Sequence, residues 1–275
     1  MNPLINDLLR CLRFESRKLV RRNLFWMSLA AVPLTVVLSG WAATTLAQPV
    51  ESYALFAEVS SWGFLLAAFF LLVLGCSSVN EEGICGALRA VRCRPVSPAV
   101  YLLAKALVLA VATLVLATLA LIAAYLWTER AGGFHAVSIV IPGLEDTEVY
   151  SAAAMKHFTL GLTIAQVPPL FFSSGLGLLV SAAIDSSGLA VVLGLLISAG
   201  LGGLGSVQTD LAPLCPPALL TRPMELLGEL ARANEAVQPQ VEAWTLTSAP
   251  VWGPLLVTGV TTLVAMLVFS KRPVR

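Results

Sequence analysis

Apolar residues along this chain gather into long unbroken runs separated by short charged stretches. Six runs stand out, at 24–47, 62–79, 101–128, 158–184, 188–207 and 249–269. A bilayer core about 30 Å thick takes about 20 helical residues to cross, and a backbone in lipid has to satisfy its own polar groups. The runs lack the alternation of barrel strands. They predict an all-α, polytopic membrane protein with six transmembrane helices and a single transmembrane domain over residues 1–275. Composition agrees: 57% of residues are hydrophobic and 12% charged, against about 45–50% and about 25% in soluble domains.

The first 23 residues follow a different rhythm. On a helical wheel Ile5, Leu8, Leu9, Leu12, Leu19 and Val20 share a face, and Arg10, Arg13, Arg17 and Arg21 form a neighbouring stripe. That pattern predicts an amphipathic helix lying in the membrane interface, apolar side down, with guanidinium groups among lipid phosphates. A cleaved signal peptide fits less well, because the apolar run from Leu24 exceeds the roughly 7–15 residues of a signal core.

Charge sets the orientation. Arg10, Arg13, Arg17, Lys18, Arg21 and Arg22 precede the first span, Arg89, Arg92 and Arg94 lie between the second and third, and Lys271, Arg272 and Arg275 follow the last. By the positive-inside rule both termini and the 80–100 segment are cytoplasmic. Glu51, Glu58, Glu129, Glu145, Asp146, Glu148, Asp210, Glu225, Glu229, Glu235 and Glu242 fall in the outside loops. The formal net charge of +1 hides this polarity and gives no reason to expect nucleic-acid binding.

The 80–100 segment has structure of its own. Asn80 is placed to cap a short helix whose first turn carries Glu81 and Glu82, with Arg89 and Arg92 later, an order that suits the helix dipole. The helix should end before Pro95. Ser97-Pro98 reads as the start of the third span, in which Lys105 sits near enough to the inner end to snorkel toward the headgroups.

Chemistry of other kinds finds little support. The chain has no GxxxxGK[ST], and the glycine-rich 200–205 stretch has no lysine to reach a phosphate, so it reads as close helix packing or a flexible break. Neither an HExxH motif nor a paired-aspartate span is present, no metal-ligand spacing is seen, and His135 and His157 lie in or beside an outside loop; no catalytic residue is assigned. The span cores carry no ionisable residue that would serve ion-coupled transport. A transporter of this kind needs an external motor.

Glu82, Gly86, Leu88, Pro95, Val96, Ser97 and Tyr101-Leu102-Leu103-Ala104-Lys105 form a pattern that resembles the signature of ABC-2 type permeases, the membrane subunits of ATP-driven exporters. The six spans, the basic amphipathic N-terminus and Phe269-Ser270-Lys271-Arg272 match that layout. The resemblance implies that the N-terminal helix is an elbow on the membrane and that the stretch holding Glu81, Glu82, Gly86, Leu88, Arg89, Arg92, Arg94, Pro95 and Ser97 couples to an ATPase subunit. It also implies a second permease copy or a related permease, ATP and Mg on the partner ATPase, no cofactor bound by this chain, and a plasma-membrane location. Ala87, Arg89 and Arg94 depart from the usual pattern. Haem-exporter permeases share a similar G-x-L…P pattern, and the same spans would also serve a membrane scaffold or assembly factor. Residues 208–248 enter through Pro213, Pro216 and Pro217 and continue as a helix with Met224, Leu227 and Leu230 on one side; this is either an outer gate with re-entrant helices, as the resemblance suggests, or a helix on the outer leaflet.

Overall fold

A computed structural model describes residues 3–46, 51–84, 97–139, 147–232, 241 and 249–271. Among the described residues eight α-helices follow in order: α1 (Pro3–Arg21), α2 (Asn23–Leu46), α3 (Ser52–Ile84), α4 (Pro98–Ala131), α5 (Ala152–Ala183), α6 (Ser187–Val207), α7 (Arg222–Ala231) and α8 (Ala249–Lys271). Six of them, α2 to α6 and α8, are long and apolar enough to cross a membrane. The protein is a multi-pass, almost wholly helical membrane protein.

The helices overrun the apolar runs. α3 has 33 residues, about 50 Å at 1.5 Å per residue, so it projects well past a core about 30 Å thick. It begins at Ser52, a stretch that sequence left outside the span, because Tyr53, Leu55, Phe56 and Val59 bury themselves against neighbouring helices. α5 likewise runs unbroken through Pro168 and Pro169, both buried.

α3 and α5 form the central pair and the most extensive helix contact. Small residues let their backbones meet: a Cβ on Gly75 would lie 2.7 Å from Ser174 O, and one on Gly177 would overlap Leu72 O and lie 3.0 Å from Cys76 N. With lipid outside, such close packing rather than a hydrophobic drive holds helices together. The helices around this pair stay open to lipid, as exposed Leu34, Val111, Leu196 and Leu263 on α2, α4, α6 and α8 indicate.

One end of the bundle gathers the start of α2, the end of α3, the start of α4 and the end of α8, together with α1; we call it the basic end. At the opposite end Gly132 and Gly133 take positive φ of 152° and 75°, a turn that glycine adopts without the Cβ clash. Phe134 follows, its ring 5.1 Å from Tyr53, 5.8 Å from Phe56 and 5.5 Å from Tyr125. A two-stranded antiparallel hairpin, β1 (Val137–Ile139) with β2 (Thr147–Tyr150), closes this region. Two 3₁₀ turns, Thr209–Leu214 and Pro216–Leu219, lead from α6 to α7. α6 continues unbroken through its glycines, and a Cβ on Gly205 would lie 2.8 Å from Cys215 Cβ, so this glycine serves close packing. α7 buries Met224, Leu227 and Leu230 against α3 and α5. It is a packed part of the bundle.

Candidate functional site

At the basic end the chain brings together charges that sequence separates by up to ninety residues. Lys105, about two turns into α4, is only 2% exposed. Its ammonium donates to Glu15 Oε2 at 2.7 Å, Glu82 Oε1 at 2.6 Å and Ser78 O at 3.0 Å. All three of its donors are used. Lys18 Nζ also reaches Glu82 Oε1 at 2.6 Å and lies 3.5 Å from Glu15 Oε1. Tyr101 donates its hydroxyl to the other Glu82 oxygen.

Two carboxylates and two ammonium groups thus balance in a site where Glu15 and Glu82 are 6% and 5% exposed. Taking an ion out of water costs several kcal/mol, and only close pairing with further hydrogen bonds offsets it. This arrangement supplies both around Lys105 and Glu82, while Glu15 Oε1 has only the Lys18 ammonium at 3.5 Å and no hydrogen bond. Lys105 is therefore not a snorkelling lysine, as its position near a helix end suggested: its partners are inside the protein, and reaching the headgroups would leave Glu15 and Glu82 with one cation between them.

A second pair lies beside the first. Arg22, at the corner between α1 and α2, bonds Ser77 Oγ at 3.0 Å and Glu81 Oε2 at 2.9 Å. The C-terminal helix joins through Phe269, whose ring stacks on Tyr101 at 5.7 Å, while Lys105 Nζ stands 4.8 Å above the Tyr101 ring. A cation over an aromatic face is favourable. Four helices, α1, α3, α4 and α8, are tied at one place.

Local structure here corrects the sequence reading. Asn80 does not start a helix. It lies inside α3 with its amide donating to Cys76 O at 3.2 Å, and Glu81 and Glu82 occupy the last turns of that helix. The polar run looked like a helix start, but α1 and α4 satisfy these side chains and α3 continues. Ser97 does cap α4: its backbone is extended, its hydroxyl accepts from Val100 N, and Pro98 follows. Gly86, Leu88, Arg89, Arg92, Arg94 and Pro95 lie outside the described residues. Glu82 and Tyr101 therefore stand at the two ends of that stretch, one before it and one after.

α1 has three faces. Glu15 and Lys18 turn inward with half-buried Leu8, Leu12 and Leu19; Ile5, Leu9 and Val20 form an exposed apolar edge; and Arg10, Arg13, Arg17 and Arg21 are all exposed on the third. Trp26 caps the corner with a 2.7 Å bond to Val20 O. Glu15 is the residue that sequence reasoning missed. Its signal was present: a lone carboxylate amid the apolar positions of a basic helix needs a buried cation, and Lys105 was the one lysine in a span.

Among the described residues no three His, Cys, Asp or Glu side chains converge as a metal site would require. The chemistry available is mechanical and electrostatic: a neutral buried network that fixes α1 to both flanks of one inter-span segment.

The six long apolar helices among the described residues define a multi-pass membrane protein, with a charge knot at one end. A family model described as ABC-2 family transporter protein matches residues 11–198, about two thirds of the chain, and the chain belongs to that family. The match includes Glu15, Lys18, Glu82, Tyr101 and Lys105. No curated protein matches the chain. It is a membrane component of a transport system.

Proposed function

We propose that this chain forms the translocation pathway of an exporter as a dimer and is driven by a separate ATP-binding-cassette subunit that holds ATP and Mg. The basic end, with both termini and the 85–96 segment, faces the cytoplasm across the plasma membrane. Membership of the family supports the transport role. The observation that carries the coupling role is the Glu15–Lys105–Glu82–Lys18 network at the ends of that segment.

A segment held at both ends by a cross-linked network moves with the helices that hold it. Movement of residues 85–96 by a closing ATPase would thus be passed to α3 and α4, and to α1 through Glu15. Gly86 and Leu88 would make the docking contact, and Arg89, Arg92 and Arg94 would supply charge around it. Glu82, Lys105 and Glu15 are positioning residues in this scheme, acting through the segment without touching the partner. Export is the direction that the family motif favours.

Changing Gly86 or Leu88 to Glu tests this. Each variant is expected to insert and fold as the wild type does, yet to lose at least tenfold of the transport-coupled ATP hydrolysis of the reconstituted complex. Hydrolysis at the wild-type rate, still responsive to substrate, would remove the coupling role from this segment.

A further inference from the structure

At the end opposite the charge knot, a groove of about 440 Å³ opens between the first turns of α3 and the whole of α7. That volume lies within the range of small-molecule sites, roughly 300–1,000 Å³. Its apolar lining comes from both helices, including Ala57 and Leu65 of α3 and Met224 of α7. Gly228 also lines it, and a Cβ there would stand 4.0 Å from Ala57 Cβ, an ordinary contact distance. Trp62 lines the groove and is 51% exposed, so much of the indole is available to an occupant.

The charges around this apolar floor do not balance. Glu58 comes from α3 and Glu225 and Glu229 from α7, against Arg232 alone. Glu225 is held by Thr221 at 2.8 Å and Arg222 at 3.3 Å. Glu58 and Glu229, one on each helix, have no salt bridge among the described residues. An apolar volume with an indole and two unpaired carboxylates suits a ligand that has both hydrophobic bulk and positive charge: the first satisfies the floor, and the second satisfies the acids and the ring.

We propose that this groove binds amphipathic organic cations, and that it is a station for cargo on the route across the membrane. The second clause rests on the exporter reading. The binding itself needs neither ATP nor a partner subunit, so the two can fail separately.

Tetraphenylphosphonium and tetraphenylborate, matched in shape and opposite in charge, are suitable probes. In neutral-detergent micelles, titration of the purified chain followed by tryptophan fluorescence is expected to show the cation binding at least tenfold tighter than the anion. The Trp62→Phe variant should lose the larger part of the cation-induced quench. The Glu58→Gln/Glu229→Gln variant, with unchanged elution and helical content, should bind the cation at least tenfold more weakly and discriminate little between the probes. Equal binding of the two ions by the wild type, or cation binding untouched by the double substitution, would overturn the proposal. If the double variant does not elute as a folded species, the wild-type preference decides: a cation preference supports the site and its absence removes it.

Discussion

Replacing Lys105 by Met is expected to lower the stability of the detergent-solubilised protein by about 3–5 kcal/mol, the usual cost of breaking a buried ion pair from one side. In the wild type its ammonium meets Glu15, Glu82 and the Ser78 carbonyl. Without it, two buried carboxylates share Lys18 alone, which is itself partly exposed. The thioether has nothing to give them. Adding Glu15→Gln to the same chain should recover part of the loss, because one carboxylate then faces one ammonium, and this non-additivity is the mark of a shared network. As a contrast, Arg10→Gln on the exposed stripe should stay within about 0.5 kcal/mol, as exposed substitutions usually do. Unfolding in mixed micelles measures all four proteins on one scale. A loss below about 1 kcal/mol for Lys105→Met would mean that the network is not the tie described here.

The second large effect lies at the centre of the bundle. Gly177→Val is expected to prevent accumulation of folded protein, and Gly177→Ala to cost about 1–3 kcal/mol, as forced overpacking does. The reason is backbone against backbone. A Cβ at Gly177 meets Leu72 O and stands 3.0 Å from both Cys76 N and Gly75 Cα, and none of these can rotate away as a side chain would. Gly200 on α6 has nothing within 4 Å of such a Cβ. Gly200→Ala should therefore be neutral or slightly stabilising, since alanine is the better helix former. Folded yield after expression and the unfolding midpoint separate these cases. Equal behaviour of Gly177→Ala and Gly200→Ala would contradict the close α3–α5 crossing.

The two sites differ in how far sequence could foresee them. The spans were legible because the bilayer imposes a length on any apolar helix, and the Ser97-Pro98 start was legible because capping is a local matter of one hydroxyl and one fixed φ. The end of α3 was not. Asn80, Glu81 and Glu82 have the composition of a helix start, and only the arrival of Lys18, Arg22 and Lys105 from other helices lets α3 carry them as its last turns. Local rules see the polarity and not the partners. Lys105 was misjudged for the same reason: a lysine near a span end has two ways to keep its charge, and the choice depends on whether carboxylates are brought to it. Glu15 could have decided the matter, since its place among Leu8, Leu12 and Leu19 on the wheel leaves it without water. The α3–α5 crossing was hidden more deeply, because Gly75 and Gly177 each look unremarkable until the two backbones are laid together.

These features support one account, in which the basic end is a mechanical joint. The elbow helix, the ends of α3 and α4 and the C-terminal Phe269 are locked around the ends of residues 85–96, so that a force on that segment reaches the two spans that flank it. At the opposite end, α7 and the hairpin pack over the bundle and leave the acidic groove beside α3.

The most direct test is to purify the tagged chain from its own membranes in Mg-ATP and quantify what remains with it. A nucleotide-binding subunit that hydrolyses ATP is expected at one copy per chain, and it should be retained far less well when Gly86 is changed to Glu. A chain that purifies folded and without any ATP-binding partner, wild type and variant alike, would contradict it.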